Sequence, residues 1–528
     1  MRLLLINPFY PISETPSPPL GLAYLAAALE KAGVEVKILD YVVYPYAETR
    51  LHSALNGFQP HMVGVTSVTM TFDQAMKIVR DVKRIDPDLI TVMGGPHVTH
   101  CAEQTLRLFP DLDLVVLGEG EQSIVDLAGQ WEKDRDWRRV RGIAFRDGDR
   151  VCVTPPRKVF FDMDAVPMPA RHLVPLGRYR ALGMPLTMTT SRGCPFHCIF
   201  CVGRKMFGPR VRFRHPDRVL DELEALSRLR FHQINIADDL FTANRRHCLD
   251  ICEGIVQRNI HLKWACFARV DTVSRGLLQK MREAGCGTIS FGVESANKDI
   301  LKTVKKGITL DQVVEAVNLC VEAGVMPHAS FILGLPGETP ETLKETTDFG
   351  KRLKDMGASY GFHLLAPFPG TRVREEREAF GLKILTDDWS QYHANRAIVE
   401  TPSVSCHMLD RIAVEWEEKF DAWLGEIKQA MLRGEAAADD AWQVIRLEHT
   451  VLLYDLMMDR VLEEHGTWRL DGTPGAQDGI LSLAARIARK TTCKKDQLMK
   501  TLRFAVDQDY LRCTGQDGLV RWEWVENF

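Results

Sequence analysis

The chain has 528 residues, 45% of them hydrophobic and 26% charged, and a formal net charge of -3. That length exceeds a single compact core and implies several domains. The near-balance of charge leaves no whole-chain field to draw the protein to nucleic acid or anionic lipid. The opening MRLLLIN is halted by Asn7-Pro8; it lacks the length and cleavage site of a signal peptide and reads as a first buried strand. No apolar run reaches membrane-crossing length, so no transmembrane segment is expected. The 13 cysteines, without an export signal, point to reduced thiols in a cytoplasm rather than a disulfide framework.

Residues 1–135 alternate short apolar runs with helical patterns: RLLLIN, PLGLAYLAAALEKAG, VEVKILD, MVGVTSV, ITVMGG and LDLVVLGEG. Strands spaced by helices in this way predict a doubly wound, Rossmann-like parallel sheet. Its carboxyl edge, where such sheets hold ligands, carries small or turn-forming residues at Asn7-Pro8, Thr66-Ser67, Gly94-Gly95-Pro96 and Gly118-Glu119-Gly120-Glu121. Residues 136–185 read as a linker, with a hairpin around Asp147-Gly148 and the proline-punctuated DMDAVPMPARHLVP.

A second series fills residues 186–379. PLTMTT, INIAD, LKWACFA, GTISFGVES, MPHASFILG and YGFHLLAPF are strand candidates separated by amphipathic stretches such as PDRVLDELEALSRL. This order predicts a partial or complete β/α barrel with its chemistry at the strand ends. Residues 380–528 are expected to be mostly helical, with apolar residues three and four apart in 409–432 and 439–466. Residues 478–526 read as three helices and a hairpin turning at Gly515–Gly518, an order that resembles a winged helix.

Just after the first barrel strand stands TSRGCPFHCIFCVG, with Cys194, Cys198 and Cys201 spaced Cys-x3-Cys-x2-Cys. Zinc sites pair two short units to reach four ligands. Three thiolates favour an iron–sulfur cluster with one iron left open. The strand, this spacing and Phe200 before the last cysteine resemble the radical S-adenosylmethionine superfamily. The resemblance implies a [4Fe-4S] cluster on Cys194, Cys198 and Cys201, with the methionine end of S-adenosylmethionine on the open iron. It further implies cofactor contacts at Phe200, at Asp238 and Asp239 in INIADDLFT, at Arg269, at Glu294 and Ser295 in SFGVES, at Gly334 in FILGLPGET and at Leu365. Lys305 and Lys306 are further candidates for the cofactor carboxylate.

Because a doubly wound domain precedes the barrel, residues 1 to about 400 resemble the cobalamin-binding members of that superfamily. These include carbon and phosphorus methylases and the anaerobic magnesium-protoporphyrin ester cyclase. The resemblance implies corrin contacts at Pro8, at Thr66, Ser67, Thr69 and Met70, at Gly94, Gly95 and Pro96, and at Gly118, Glu119 and Glu121. The Asp-x-His-x-x-Gly motif that supplies histidine to cobalt in other cobalamin proteins is absent, since His97 and His100 in GGPHVTH lack its Asp and Gly. Base-off cobalamin without a histidine ligand is therefore expected, with Ser67–Phe72 facing the lower side of the corrin and Met70 packing there.

Together these features imply methyl transfer from cobalamin to an unactivated carbon through a 5′-deoxyadenosyl radical. The enzymatic alternative is oxidative ring closure or hydroxylation without methyl transfer. The partners implied are a small-molecule or peptide substrate and an electron donor such as flavodoxin or ferredoxin. Lys494, Lys495, Lys500 and Arg503 could face phosphate, but Asp496, Asp507 and Asp509 dilute that charge, so nucleic acid is the minor alternative. His247, Cys248 and Cys252, on one helical stretch, are expected to be core.

Overall fold

A computed structural model describes residues 1–528 apart from 12, 14, 158–161, 470–478, 489, 492, 517, 527 and 528. Residues 158–161 of the linker and residues 478, 489, 492 and 517 of the winged-helix expectation therefore lie outside the described residues.

The first sheet comprises β1 (Arg2–Asn7), β2 (Glu35–Asp40), β3 (Met62–Thr66), β4 (Ile90–Gly94), β5 (Leu114–Val116), β6 (Ile143–Asp147) and β7 (Arg150–Val153), in the order β2-β1-β3-β4-β5-β6-β7. Strands β1 to β5 pair in parallel, whereas β6 and β7 add antiparallel. The hairpin that the sequence placed in the linker is thus the edge of this sheet. Successive residues of β1 enter different cores, as the two-residue period of a strand requires. Leu4 and Ile6 join Val63, Val65 and Phe72 on one face, while Leu3 and Leu5 join Leu22, Ala26, Val116 and Ile124 on the other.

The second sheet holds β8 (Leu186–Met188), β11 (Ile234–Ile236), β12 (Trp264–Ala268), β13 (Cys286–Glu294), β14 (Met326–Leu333) and β15 (Ser359–Leu364). All six run parallel in the order β15-β14-β13-β12-β11-β8. Between β8 and β11 a short antiparallel ribbon pairs β9 (Ser191–Arg192) with β10 (Arg212–Phe213). Because the outer strands β8 and β15 do not pair with each other, the barrel is partial. Its helices begin where the sequence supplies start signals: Thr339 caps Pro340–Asp355 and Thr309 caps Leu310–Ala323, which stops at Gly324 in the left-handed conformation. His247, Cys248 and Cys252 are buried on the helix Arg245–Gln257.

Beyond the barrel lie the long helices Cys406–Arg433 and Ala438–Met458. The last unit runs helix Val461–His465, strand Thr467–Arg469, helices Gly479–Ile487 and Lys495–Asp507, then strands Leu511–Gln516 and Leu519–Trp524 in one sheet with the first strand. That is a winged-helix order, but among the described residues only two of its helices and the hairpin fall within 478–526, the first helix and a short strand lying upstream of residue 478. A three-residue strand is too short to show a period. In the helix Lys495–Asp507, Phe504 stacks on His449 with ring centroids 4.3 Å apart and lies 5.8 Å from Trp442, so one face of this helix is committed to internal packing.

Candidate active site

The three cysteines sit on the loop that follows β9. Gly193 opens it with φ +105, where a Cβ would lie 2.4 Å from the Arg210 carbonyl oxygen, so only glycine fits. The loop is held along its length: Gly193 N donates to Asp239 Oδ2 at 3.0 Å, Ile199 N to the Val304 carbonyl at 3.2 Å, and Val373 N to the Ile199 carbonyl at 3.0 Å. Gly203 N donates to Cys201 Sγ at 3.4 Å. Burial pushes the Cys194 and Cys198 thiols up and the Cys201 thiol to about 11, with neighbouring thiols adding to the rise at Cys198 and Cys201. Among the described residues, no three His, Cys, Asp or Glu side chains are grouped to hold a single metal ion. Three thiols spread along one loop suit a multinuclear cluster, whose ligands bind different irons.

The candidate residues for the second cofactor stand at successive strand ends around this loop. Asp238 follows β11 and is 2% exposed; it accepts from Thr190 N at 2.6 Å, Thr190 Oγ1 at 2.6 Å and Ser191 Oγ at 2.7 Å. It thereby fixes the residues leading into the cysteine loop. Arg269, after β12, donates to both Asp271 oxygens and to the Lys306 carbonyl, and its guanidinium lies 3.6 Å from the centre of the Phe196 ring. Glu294 closes β13 across a register shift with φ +70 and accepts from Lys306 Nζ at 2.7 Å. Ser295 is fully buried beside Thr346, 3.3 Å between hydroxyls. Gly334, φ +91, is packed against Leu365, Val399 and Leu409. Both Gly334 N and Leu335 N donate to Glu338 Oε2, and burial raises the Glu338 carboxyl to about 8. Phe200 packs on the apolar cluster of Ile199, Leu365 and Val399. Lys305 is exposed.

In the first domain, the carboxyl edge opens on a cavity of about 260 Å³. Leu5, Gly64, Val92, Val116 and Ile124 form its apolar floor, and Thr66, Gly94, Gly95, Gly118, Glu119 and Glu121 its rim. Pro8, Ser67, Thr69, Met70 and Pro96 do not line it. The glycines are what leave the space: a Cβ at Gly64 would lie 2.9 Å from Leu5, and one at Gly120 would lie 3.2 Å from Leu25 and 3.3 Å from Val116. Ser67 is fully buried, and a Cβ at Gly95 would lie 2.3 Å from its carbonyl oxygen. Val68 is the exposed apolar residue of that loop. His97 is wedged 4.3 Å from the Phe72 ring and 4.8 Å from Trp389, and its burial lowers the imidazole pKa to about 4.

Sequence reasoning missed the contacts between these two regions. Arg192 and Arg212, paired on the β9–β10 ribbon, bind Glu119 at 3.0 and 2.9 Å, and Arg192 binds Glu121 at 2.7 Å; all four side chains are buried. Phe196, Glu338 and Trp389 were also missed. The only local hint was the position of Arg192 directly before Gly193-Cys194.

A three-thiol loop at the mouth of a partial barrel, behind a doubly wound domain with a carboxyl-edge cavity, defines a radical S-adenosylmethionine enzyme with a corrinoid-type first domain. Two family models match accordingly: the radical SAM superfamily over residues 188–350 and the B12 binding domain over residues 13–128. An uncharacterized methyltransferase of Pyrococcus horikoshii is 36% identical over 399 residues, 74% of this chain and 86% of that protein. The anaerobic magnesium-protoporphyrin IX monomethyl ester cyclase of Rubrivivax gelatinosus is 30% identical over 80% of this chain and 77% of its own length. Among solved structures, the cobalamin-dependent S-adenosylmethionine radical enzyme OxsB, with aqua-cobalamin and S-adenosylmethionine bound, shares the fold: TM-score 0.69 at 20% identity, covering 96% of this chain and 79% of that one. The chain belongs to the radical SAM superfamily, in the group that carries a B12 binding domain ahead of the radical SAM domain. The cofactors these domains imply are a [4Fe-4S] cluster, S-adenosylmethionine and cobalamin.

Proposed function

We propose that this cobalamin-dependent radical SAM enzyme is a methyltransferase acting on an unactivated carbon of a small-molecule or peptide substrate. The observation that carries the reading is the cavity at the carboxyl edge of the first sheet, one wall of which is formed by the flanks of the cysteine loop, Thr189, Arg192, Met206 and Phe207. When bound, the cofactors supply a strong hydrogen-abstracting radical and a transferable methyl group. The chain positions them and excludes water. Cys194, Cys198 and Cys201 would hold the cluster. Phe200, Asp239, Arg269, Glu294, Ser295, Gly334 and Leu365 would surround S-adenosylmethionine, with Asp238 holding the loop beneath it. The loop Ser67–Met70 and the glycine-rich rim would hold the corrin.

A base-off corrin fits the burial of His97 between Phe72 and Trp389, which keeps its imidazole from reaching a cobalt outside that packing. An electron donor such as flavodoxin or ferredoxin would supply the reducing electron. No described helix is long and apolar enough to cross a membrane.

The similarity to the Rubrivivax cyclase favours one second reading, oxidative ring closure without methyl transfer. Anaerobic reconstitution followed by iron, sulfide and cobalt assay tests the cofactor set. Turnover with methyl-labelled S-adenosylmethionine then separates the two chemistries. Label in a product heavier by one CH2 supports methyl transfer, and an unlabelled oxidised product overturns it.

A further inference from the structure

Both flanks of the cysteine loop line the first-domain cavity. Arg192 stands two residues before Cys194, and Met206 and Phe207 follow Cys201. The flanks are also bound to the cavity rim. Glu119 takes Arg192 on Oε1 and Arg212 on both oxygens, and Arg212 in turn donates to the Phe207 carbonyl at 2.8 Å. Arg192 reaches Glu121 with its second nitrogen and lies 5.0 Å from the centre of the Tyr24 ring, while Tyr24 shares a hydrogen bond with Thr189 at 3.2 Å. Among the described residues, Glu121 Oε2, on the same rim, is buried without a hydrogen-bond partner. A buried carboxylate oxygen left unsatisfied is costly until a donor arrives. In this cavity the donor would come from the ligand.

We propose that Arg192 is a positioning residue that couples corrinoid binding to iron–sulfur cluster binding. A corrinoid tail that fills the cavity and donates to Glu121 fixes the Glu119–Arg192–Glu121 ion pairs. Those pairs fix the strand entering the cysteine loop, and Arg212 fixes its exit. Each cofactor then raises the chain's affinity for the other by the same factor, as linkage requires. This rests on the cobalamin reading of the first domain.

The test uses the full-length chain before and after anaerobic cluster reconstitution, with hydroxocobalamin as the probe and its dissociation constant measured by anaerobic ultrafiltration and absorbance. The expected result is about tenfold tighter binding by the cluster-loaded chain. In the reciprocal measurement, hydroxocobalamin slows removal of cluster iron by a chelator. Arg192→Gln brings the affinity ratio to one, and Arg192→Lys restores part of it. A residue that served only to stabilise the fold would weaken binding in both states and leave the ratio unchanged. Should Arg192→Gln fail to fold, Glu121→Gln, which leaves the Arg192–Glu119 pair in place, must lower the ratio. A ratio near one in the wild type, or one that survives the substitution, overturns this inference alone. No hydroxocobalamin bound in either state overturns the cobalamin reading with it.

Discussion

Asp238 accepts both the backbone N–H and the hydroxyl of Thr190, each at 2.6 Å, and so joins the end of β11 to the end of β8 immediately before the cysteine loop. Hydrogen bonds to a buried carboxylate are worth about 1.5–3 kcal/mol each, and leaving their donors unsatisfied costs as much again. Asp238→Ala is therefore expected to lower stability by about 3 kcal/mol or more and to cut the iron retained per chain after reconstitution. Denaturant unfolding and iron assay read the two effects. Full iron retention would show that the loop holds its shape without this anchor.

Gly95 combines φ +110 with a Cβ position only 2.3 Å from the Ser67 carbonyl oxygen. Ser67 in turn donates its N–H to the Gly94 carbonyl at 2.9 Å, so the two loops cannot simply part. Gly95→Ala should cost about 3 kcal/mol or more, at the severe end for one methyl group. Chemical denaturation checks this directly.

Gly120 has ordinary helical dihedrals, so a side chain there is limited by space alone. Gly120→Val would place methyl groups into the cavity beside Leu25 and Val116. Retained cobalt should fall by about tenfold or more, since overpacking costs roughly 1–3 kcal/mol. Retention of cobalt at the wild-type level would place the corrinoid elsewhere.

Asp40 is 3% exposed and receives hydrogen bonds from Tyr179 at 2.7 Å, Asn7 at 2.9 Å and Val42 N at 3.1 Å. Burial nevertheless dominates and raises its carboxyl from 3.8 to about 6. Between those two values the native chain holds a proton that the unfolded chain has released. Stability from this group therefore falls as pH rises through that window and is level above it. A shift of about two units corresponds to roughly 3 kcal/mol. Asp40→Asn should flatten the decline in unfolding free energy between pH 4 and pH 6.5, whatever its constant offset. Parallel slopes for both chains would refute the assignment.

How much of this was legible beforehand follows from the range of each signal. Strand positions in both sheets were readable because Leu3–Ile6 or the run Phe331–Leu333 carry their burial in the local pattern. The cysteine trio was readable because its spacing is itself the chemistry. The sheet membership of β6 was not, since pairing with β5 at Val116↔Ile143 leaves no mark on either segment. Nor could the pattern show that Arg192 and Arg212 converge on Glu119, which precedes Arg192 by 73 positions. Asp238 was picked out by its strand-end position, but the hydroxyls of Thr190 and Ser191 that occupy it come from another strand end.

The first domain is gripped twice by the segment that follows it. Arg192 and Arg212 seize Glu119 from either side of the cysteines, and Trp389, beyond the last barrel strand, closes over His97. A double clasp of this kind does not swing open about one hinge, because releasing either end leaves the other fastened. Moving the first domain away from the cavity mouth would therefore break the Glu119 ion pairs and the His97–Trp389 contact together.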